Sequence, residues 1–148
     1  MPFQPLYEIL PEVAMHETRS ITILHSDNKH NLPKGCYSFV ESFCNEISCN
    51  CRRVFFSVYY SKDMKSLPGK DPLAIIGYGW ETIAFYKKWL GRNDNKKAKQ
   101  LTTPILNELS DQSEHARKIL KLFNDLLLTE KKYMERVKQH YRLFRARL

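Results

Sequence analysis

The 148-residue chain lacks most of what announces an enzyme or a membrane protein. No apolar run approaches the roughly 20 residues that a membrane-spanning helix needs. Residues 1–12 carry Glu8, Glu12 and three prolines instead of the basic-then-apolar pattern of a secretory signal, so a cytoplasmic location is expected. There is no G-x-S-x-G turn, no H-E-x-x-H helix and no pair of carboxylates at telling spacing, which leaves no recognisable nucleophile with its base. The H-x-E and P-C-x-x-C pieces of a zinc deaminase are missing too. Gly77-Tyr78-Gly79-Trp80-Glu81-Thr82 has neither a third glycine nor a following lysine, so it matches no dinucleotide or phosphate-loop fingerprint. It reads as a tight turn that places Tyr78 and Trp80 against the core. Internal repeats and low-complexity segments are absent.

What is present is the composition of a folded soluble domain, 43% apolar and 27% charged. The length suits a single domain over 1–148, with a sheet region at about 18–80 and a helical region at 81–148. Met1 to Met15 reads either as an extended arm or as a short helix ahead of Pro11. Ser20–Leu24 is rich in β-branched residues and predicts a first strand. Tyr37–Cys44 alternates, with Tyr37, Phe39, Glu41 and Phe43 on one side and Ser38, Val40, Ser42 and Cys44 on the other. Arg53–Tyr60 carries apolar groups on both sides and predicts a central strand covered on each face. Leu73–Tyr78 predicts a fourth strand.

From Trp80 the period changes. Thr82–Leu90 predicts a helix stopped by Gly91, and Asn93–Lys99 reads as an exposed polar stretch. Thr103 and Pro104 have the order of a cap and first residue of a short helix. Two longer helices follow, Ser113–Leu128 and Glu130–Arg147, each with an apolar stripe, and the short break at Thr129 predicts an antiparallel pair. Strands first and helices after make the fold class α+β: a small antiparallel sheet followed by a C-terminal helical pair.

Cysteine is concentrated. Three of the four cysteines, Cys44, Cys49 and Cys51, fall within eight residues, where the second strand ends and the third begins. In a reducing compartment such a cluster reads as metal ligands before it reads as disulfides. The C-x4-C-x-C spacing differs from the C-x2-C of common zinc knuckles. Even so, a hairpin would converge three thiolates on one ion at Zn–S distances of about 2.3 Å. Three buried free cysteines are the plain alternative. Arg52 and Arg53 stand beside the cluster and are expected to depress its thiol pKa values.

Cys36, eight residues from Cys44 along a strand, lies roughly 26 Å away and is excluded as the fourth ligand. If the first strand pairs antiparallel with the second, His16 reaches the Cys44 end, whereas His25 and His30 fall at the other end. His140, beside the stripe of the last helix, is the alternative to His16. Where no residue fills the slot, water does, and the site becomes an open one. Zn²⁺ suits this ligand set best and iron is the second choice.

The stretch Tyr37-Ser38-Phe39-Val40-Glu41-Ser42-Phe43-Cys44, with Cys49-Asn50-Cys51-Arg52-Arg53-Val54, resembles a group of uncharacterised prokaryotic proteins. These share an aromatic strand followed by a C-x4-C-x-C-R-R-V turn. The likeness runs on through Gly77–Glu81 and His140-Tyr141-x-x-Phe144, and Cys36 lies outside it. It implies a small domain with a metal cluster and carries no activity with it.

Charge is the other asymmetry. Glu114–Leu148 holds a balance of +6 out of a total of +8. Lys131, Lys138, Arg142 and Arg145 form a basic line on the last helix, broken by Glu135 and interleaved with Tyr133, His140 and Tyr141, which suits nucleic acid or a partner protein. A solvated helix face is the plain alternative. The sequence therefore predicts a zinc-clipped binding or regulatory module, with a zinc-dependent hydrolase as the alternative if the fourth coordination position is open.

Overall fold

The computed structural model describes residues 2–148. Its centre is an antiparallel sheet of six strands: β1 (Phe3–Pro5), β2 (Arg19–Ile23), β3 (Gly35–Cys44), β4 (Arg53–Ser61), β5 (Ala74–Gly79) and β6 (Ile105–Leu106). Around it lie α1 (Leu6–Ile9), α2 (Pro11–Glu17), α3 (Ile83–Leu90), α4 (Asn95–Leu101), α5 (Ala116–Leu126) and α6 (Lys131–Ala146). The fold is α+β, with two C-terminal helices and three of the four cysteines at one hairpin tip.

The longest ladder is β3 on β4, running from Cys36↔Ser61 to Phe43↔Val54, and β5 and β6 extend it on the β4 side. The other edge of β3 has two partners in succession. β1 pairs with Ser42–Cys44 and β2 with Gly35–Phe39. Between them the chain leaves the sheet as α1 and α2, so Val40 and Glu41 have no strand partner on that edge. Both readings of residues 1–15 are thus realised in turn, an extended arm and then helix, with Pro11 opening α2.

Alternation decides which face is dry. Tyr37, Phe39 and Phe43 from β3, Val54, Phe56 and Val58 from β4, and Ile76 from β5 are fully buried. The helices close over them. Phe123 of α5 meets Phe39 and Phe56, Tyr133 of α6 meets Phe56, and Tyr141 and Phe144 meet Phe43, at ring separations of 4.9–6.3 Å. Both helix stripes are spent on the sheet. The opposite face, with Ser42, Phe55, Ser57, Tyr59 and Ile75, is only half-buried. β4 is therefore central by position but covered on one face, not on both as its composition predicts; the edge of Phe3 against Phe55 is a partial cover.

α3 begins where the sequence places it. Thr82 Oγ1 accepts the Phe85 N–H, and Gly91 closes the helix at φ 71. Two segments differ. Asn95–Leu101 is a helix because Asp94 caps it and Ala98 docks against the fold, which a polar composition conceals. Thr103–Pro104 caps nothing: Ile105 and Leu106 find the open edge of β5 and become a strand. Gly77 and Gly79 lie within β5. A side chain at Gly79 would collide with Tyr86 and the Leu101 carbonyl, so this glycine permits close packing, while Trp80 stacks edge-on against Tyr141.

Candidate metal centre

The β3–β4 register delivers the cysteines to one point. Cys44 is the last residue of β3, and Cys51 sits two residues before β4. Cys49 follows a tight turn closed by its own N–H on the Glu46 carbonyl. The three sulfurs lie within 4.8 Å of one another, and this set can hold a metal ion. Thiolates around a tetrahedral zinc with bonds of about 2.3 Å would stand about 3.8 Å apart, so the spacing has the right scale. Cys44 and Cys51 are buried and Cys49 is half-buried.

Both flanks of the loop are clamped. On one side the guanidinium of Arg145, in the last turn of α6, donates to the carbonyls of Cys44, Glu46, Ile47 and Cys49 at 2.6–3.0 Å. On the other, Arg52 adopts a left-handed φ of 49, which for a non-glycine residue costs about 1–2 kcal/mol. Three contacts hold it there. The Tyr86 hydroxyl donates to its carbonyl at 2.9 Å, its guanidinium reaches Glu81 at 3.2 Å, and the same group lies 5.0 Å over the Phe85 ring.

The sulfurs receive polar help at close range. The Glu46 N–H bonds to the Cys44 sulfur and the Arg53 N–H to the Cys51 sulfur, each two residues along the chain. Such donors favour the thiolate. Burial works the other way and wins, raising Cys44 and pushing Cys51 up to about 12, with the neighbouring Cys49 adding to both. Three thiols this close resist joint ionisation unless a cation joins them, and a metal ion supplies that charge. The donor set thus fits a soft divalent ion. The expectation that Arg52 and Arg53 depress the thiols is not met: Arg52 has no part in it, and Arg53, whose charge and that of Cys51 favour one another, does not overcome burial. Arg52 is drawn to Glu81 and Phe85, and Arg53 lies over Phe55, so the guanidinium that favours the Cys44 thiolate is that of Arg145.

Among the described residues, no histidine joins the sulfur cluster. Antiparallel pairing of β2 with β3 is as expected, but Arg19 registers with Phe39, and Phe3 takes the place beside Cys44. His16 is left exposed on α2, outside the set of converging ligand atoms. Cys36 is buried at the far end of β3, in keeping with the distance argument. His140 is engaged elsewhere. Its Nδ1 lies 2.8 Å from Glu41 Oε1 and its Nε2 3.0 Å from Glu17 Oε1, and the ring is 1% exposed. Tyr141 comes close instead: after burial, the charge of Cys51 is the chief influence raising its phenol, to which the Arg52 N–H bonds.

The Glu41–His140–Glu17 cluster is the feature that reading the chain missed. Glu41 is 3% exposed on the core face of β3, and Arg136 approaches Glu17 at 3.5 Å. Burial opposes the His140 imidazolium, yet the bonds and charges of both carboxylates outweigh it and hold its pKa above the usual value. Burial likewise raises Glu41, with His140 offsetting part of the rise. A signal was available: a carboxylate alternating with Tyr37, Phe39 and Phe43 must find a partner inside.

The basic line divides. Arg145 serves the loop and Lys138 pairs with Glu135 at 3.2 Å. Lys131 and Arg142 line a shallow surface groove together with Lys132 and Arg136. Among the described residues, no helix is long and apolar enough to cross a membrane. Comparison with family models, with curated proteins and with solved structures finds no match to this chain.

Proposed function

We propose that the chain is a single-domain binding module in which a structural zinc ion on Cys44, Cys49 and Cys51 fixes the hairpin tip. The basic face of α6 is then offered to a polyanion, nucleic acid first and an acidic protein surface second. The observation that carries this reading is the convergence of three sulfurs on a buried point whose loop carbonyls are already tied to α6 through Arg145. Fixing the tip fixes the last turn of the helix that bears the basic groove. His16 has no part in this reading; the fourth position is filled from outside the set of sulfurs.

Metal analysis of purified protein is expected to find one zinc per chain in the wild type and none in Cys49→Ser. Iron in its place would change the ion and keep the site. For the polyanion, anisotropy titrations with a fluorescent single-stranded oligonucleotide are expected to weaken steeply with salt. Three phosphate contacts, from Lys131, Lys132 and Arg142, predict a loss of roughly twentyfold between 50 and 200 mM. Salt-insensitive binding, or unchanged binding in Lys131→Gln with Arg142→Gln, removes nucleic acid from the proposal.

A zinc hydrolase is the second reading, and one feature favours it: the converging ligand set numbers three, which leaves a coordination position for water. X-ray absorption distinguishes the two. A shell of three sulfurs closed by a fourth protein ligand, nitrogen or sulfur, rejects the hydrolase, and a shell of three sulfurs and one oxygen, with ester hydrolysis lost in Cys49→Ser, supports it.

A further inference from the structure

On the half-buried face of the sheet, two residues past Cys51, one cation is stranded. Arg53 is only 7% exposed, yet its Nη1 is buried with no hydrogen-bond partner. Among the described residues no carboxylate forms a salt bridge with it. Glu108 stands in the wall of the same cavity without bridging to it. A buried guanidinium without an anion is costly, and native proteins keep such groups paired. The ring of Phe55 lies 5.7 Å from its central carbon, and the Tyr86 phenol and the Cys51 thiol, neutral at ordinary pH unless a metal ionises the thiol, are the groups whose charge would favour it.

The surroundings show where an anion fits. Arg53 helps to wall a cavity of about 460 Å³, with Lys97 and Gln100 of α4 also in the wall. The room exists because position 77 is glycine: a Cβ there would come within 2.9 Å of Arg53 Nη2 and 2.7 Å of the Phe55 ring. A second cavity of about 440 Å³ adjoins it, sharing Phe55, Asn107 and Leu109 in its walls, and this one is apolar, with Phe3 and Ile75 also lining it. Both volumes are typical of small-molecule sites. Leu109 is 91% exposed on the intervening loop, an apolar side chain with nothing to cover.

From this juxtaposition of an unpaired buried guanidinium and an apolar trough, we infer that the outer face of the sheet binds a small amphipathic carboxylate. The acid group sits on Arg53, and the tail runs over Phe55 toward Phe3 and Ile75. A carboxylate suits the planar fork of one arginine, which it can meet with two parallel hydrogen bonds. Lys97, exposed at the rim, draws the anion in. This site is separate from the basic groove on α6 and stands whichever polyanion that groove takes, while its arginine lies two residues past Cys51 and within reach of that thiol's charge.

The test is calorimetric titration of the full-length, zinc-saturated protein with octanoate, octan-1-ol and acetate. Octanoate is expected to bind, and the other two, which lack the charge or the tail, at least tenfold more weakly. Arg53→Met is expected to lower octanoate affinity at least tenfold and leave that of octan-1-ol in place. Leu109→Asp, on an exposed loop where folding is not at stake, is expected to weaken octanoate to a similar degree. Failure of octanoate to bind, or equal affinity for octanoate and octan-1-ol, overturns the proposal. So does loss of zinc in Arg53→Met together with full octanoate binding in Leu109→Asp, since Arg53 then serves as the counter-charge of the thiolates.

Discussion

Two polar clusters are buried in this molecule, and they are built in opposite ways. The cysteine tip draws its groups from eight consecutive residues at the end of one hairpin. The Glu41–His140–Glu17 cluster draws on β3, α6 and α2, with His140 separated from its partners by 99 and 123 positions. The first is made by a single turn, which Arg145, Tyr86 and Glu81 then clamp from outside. The second holds other things together, because it ties the N-terminal helices and the last helix to the centre of the sheet. A local site is lost without the fold following, whereas a long-range one cannot be opened without loosening three elements.

The sharpest way to break this contrast is His140→Leu. It leaves the Glu41 carboxylate buried without its partner, a change expected to cost about 3–5 kcal/mol in chemical denaturation. Replacing both Glu41 and His140 with leucine removes the stranded charge, so most of that stability should return. If the single variant is as stable as the wild type, the cluster is not a structural tie. Removal of the zinc proposed for Cys44, Cys49 and Cys51 should come next in size. Stabilisation by a ligand grows with its free concentration, reaching about 2.7 kcal/mol at one hundred times Kd. Melting with and without chelator measures it, and Cys49→Ser should be indifferent to the chelator.

Arg145→Met should fall below both. It removes charged donors from four carbonyls, and hydrogen bonds of this kind contribute about 1.5–3 kcal/mol each at best, less where water reaches them. About 2 kcal/mol is expected, together with faster zinc release to a colorimetric chelator. Unchanged release would mean that the tip does not depend on α6, and the coupling proposed between the zinc and the basic groove would fail.

The same contrast explains what was legible in the chain. Period-two alternation placed Tyr37, Phe39, Glu41 and Phe43 on one face correctly, because a strand's side chains have only two directions to take. The hairpin tip was equally legible, since Cys44 and Cys51 flank the turn that joins two readable strands. What could not be read depended on register and on distant partners. His16 was placed beside Cys44 by pairing β2 alone with β3, but Phe3 of β1 occupies that position. Arg145 looked like a surface cation because the carbonyls it binds lie about a hundred residues earlier. Pro104 resembled a helix start until the edge of β5 offered Ile105 and Leu106 a ladder. The resemblance to a C-x4-C-x-C-R-R-V turn is matched in the spacing of Cys44, Cys49 and Cys51, and says nothing of these distant contacts.

The smallest effect is also the one that most directly separates the two clusters, because both contain titrating groups. His140 is raised above its unfolded value of 6.5 by Glu41 and Glu17, and Glu41 is raised above 4.5 by burial. A raised group binds more protons in the native state, so its stabilisation is complete below the unfolded pKa and is lost as pH climbs through the folded one. For each proton involved the slope cannot exceed about 1.4 kcal/mol per pH unit. The thiols also titrate on the alkaline side, so the wild type alone is ambiguous. The comparison to make is zinc-saturated wild type against zinc-saturated Glu41→Leu/His140→Leu, in which the sulfurs behave alike and cancel. From about pH 4.5 upward, where Glu41 starts to contribute, and further above 6.5, where His140 does, the wild type should lose stability relative to the double variant. A difference that stays flat or grows would mean that the proton is not shared between His140 and its carboxylates, and that the tie between α2, α6 and β3 is packing alone.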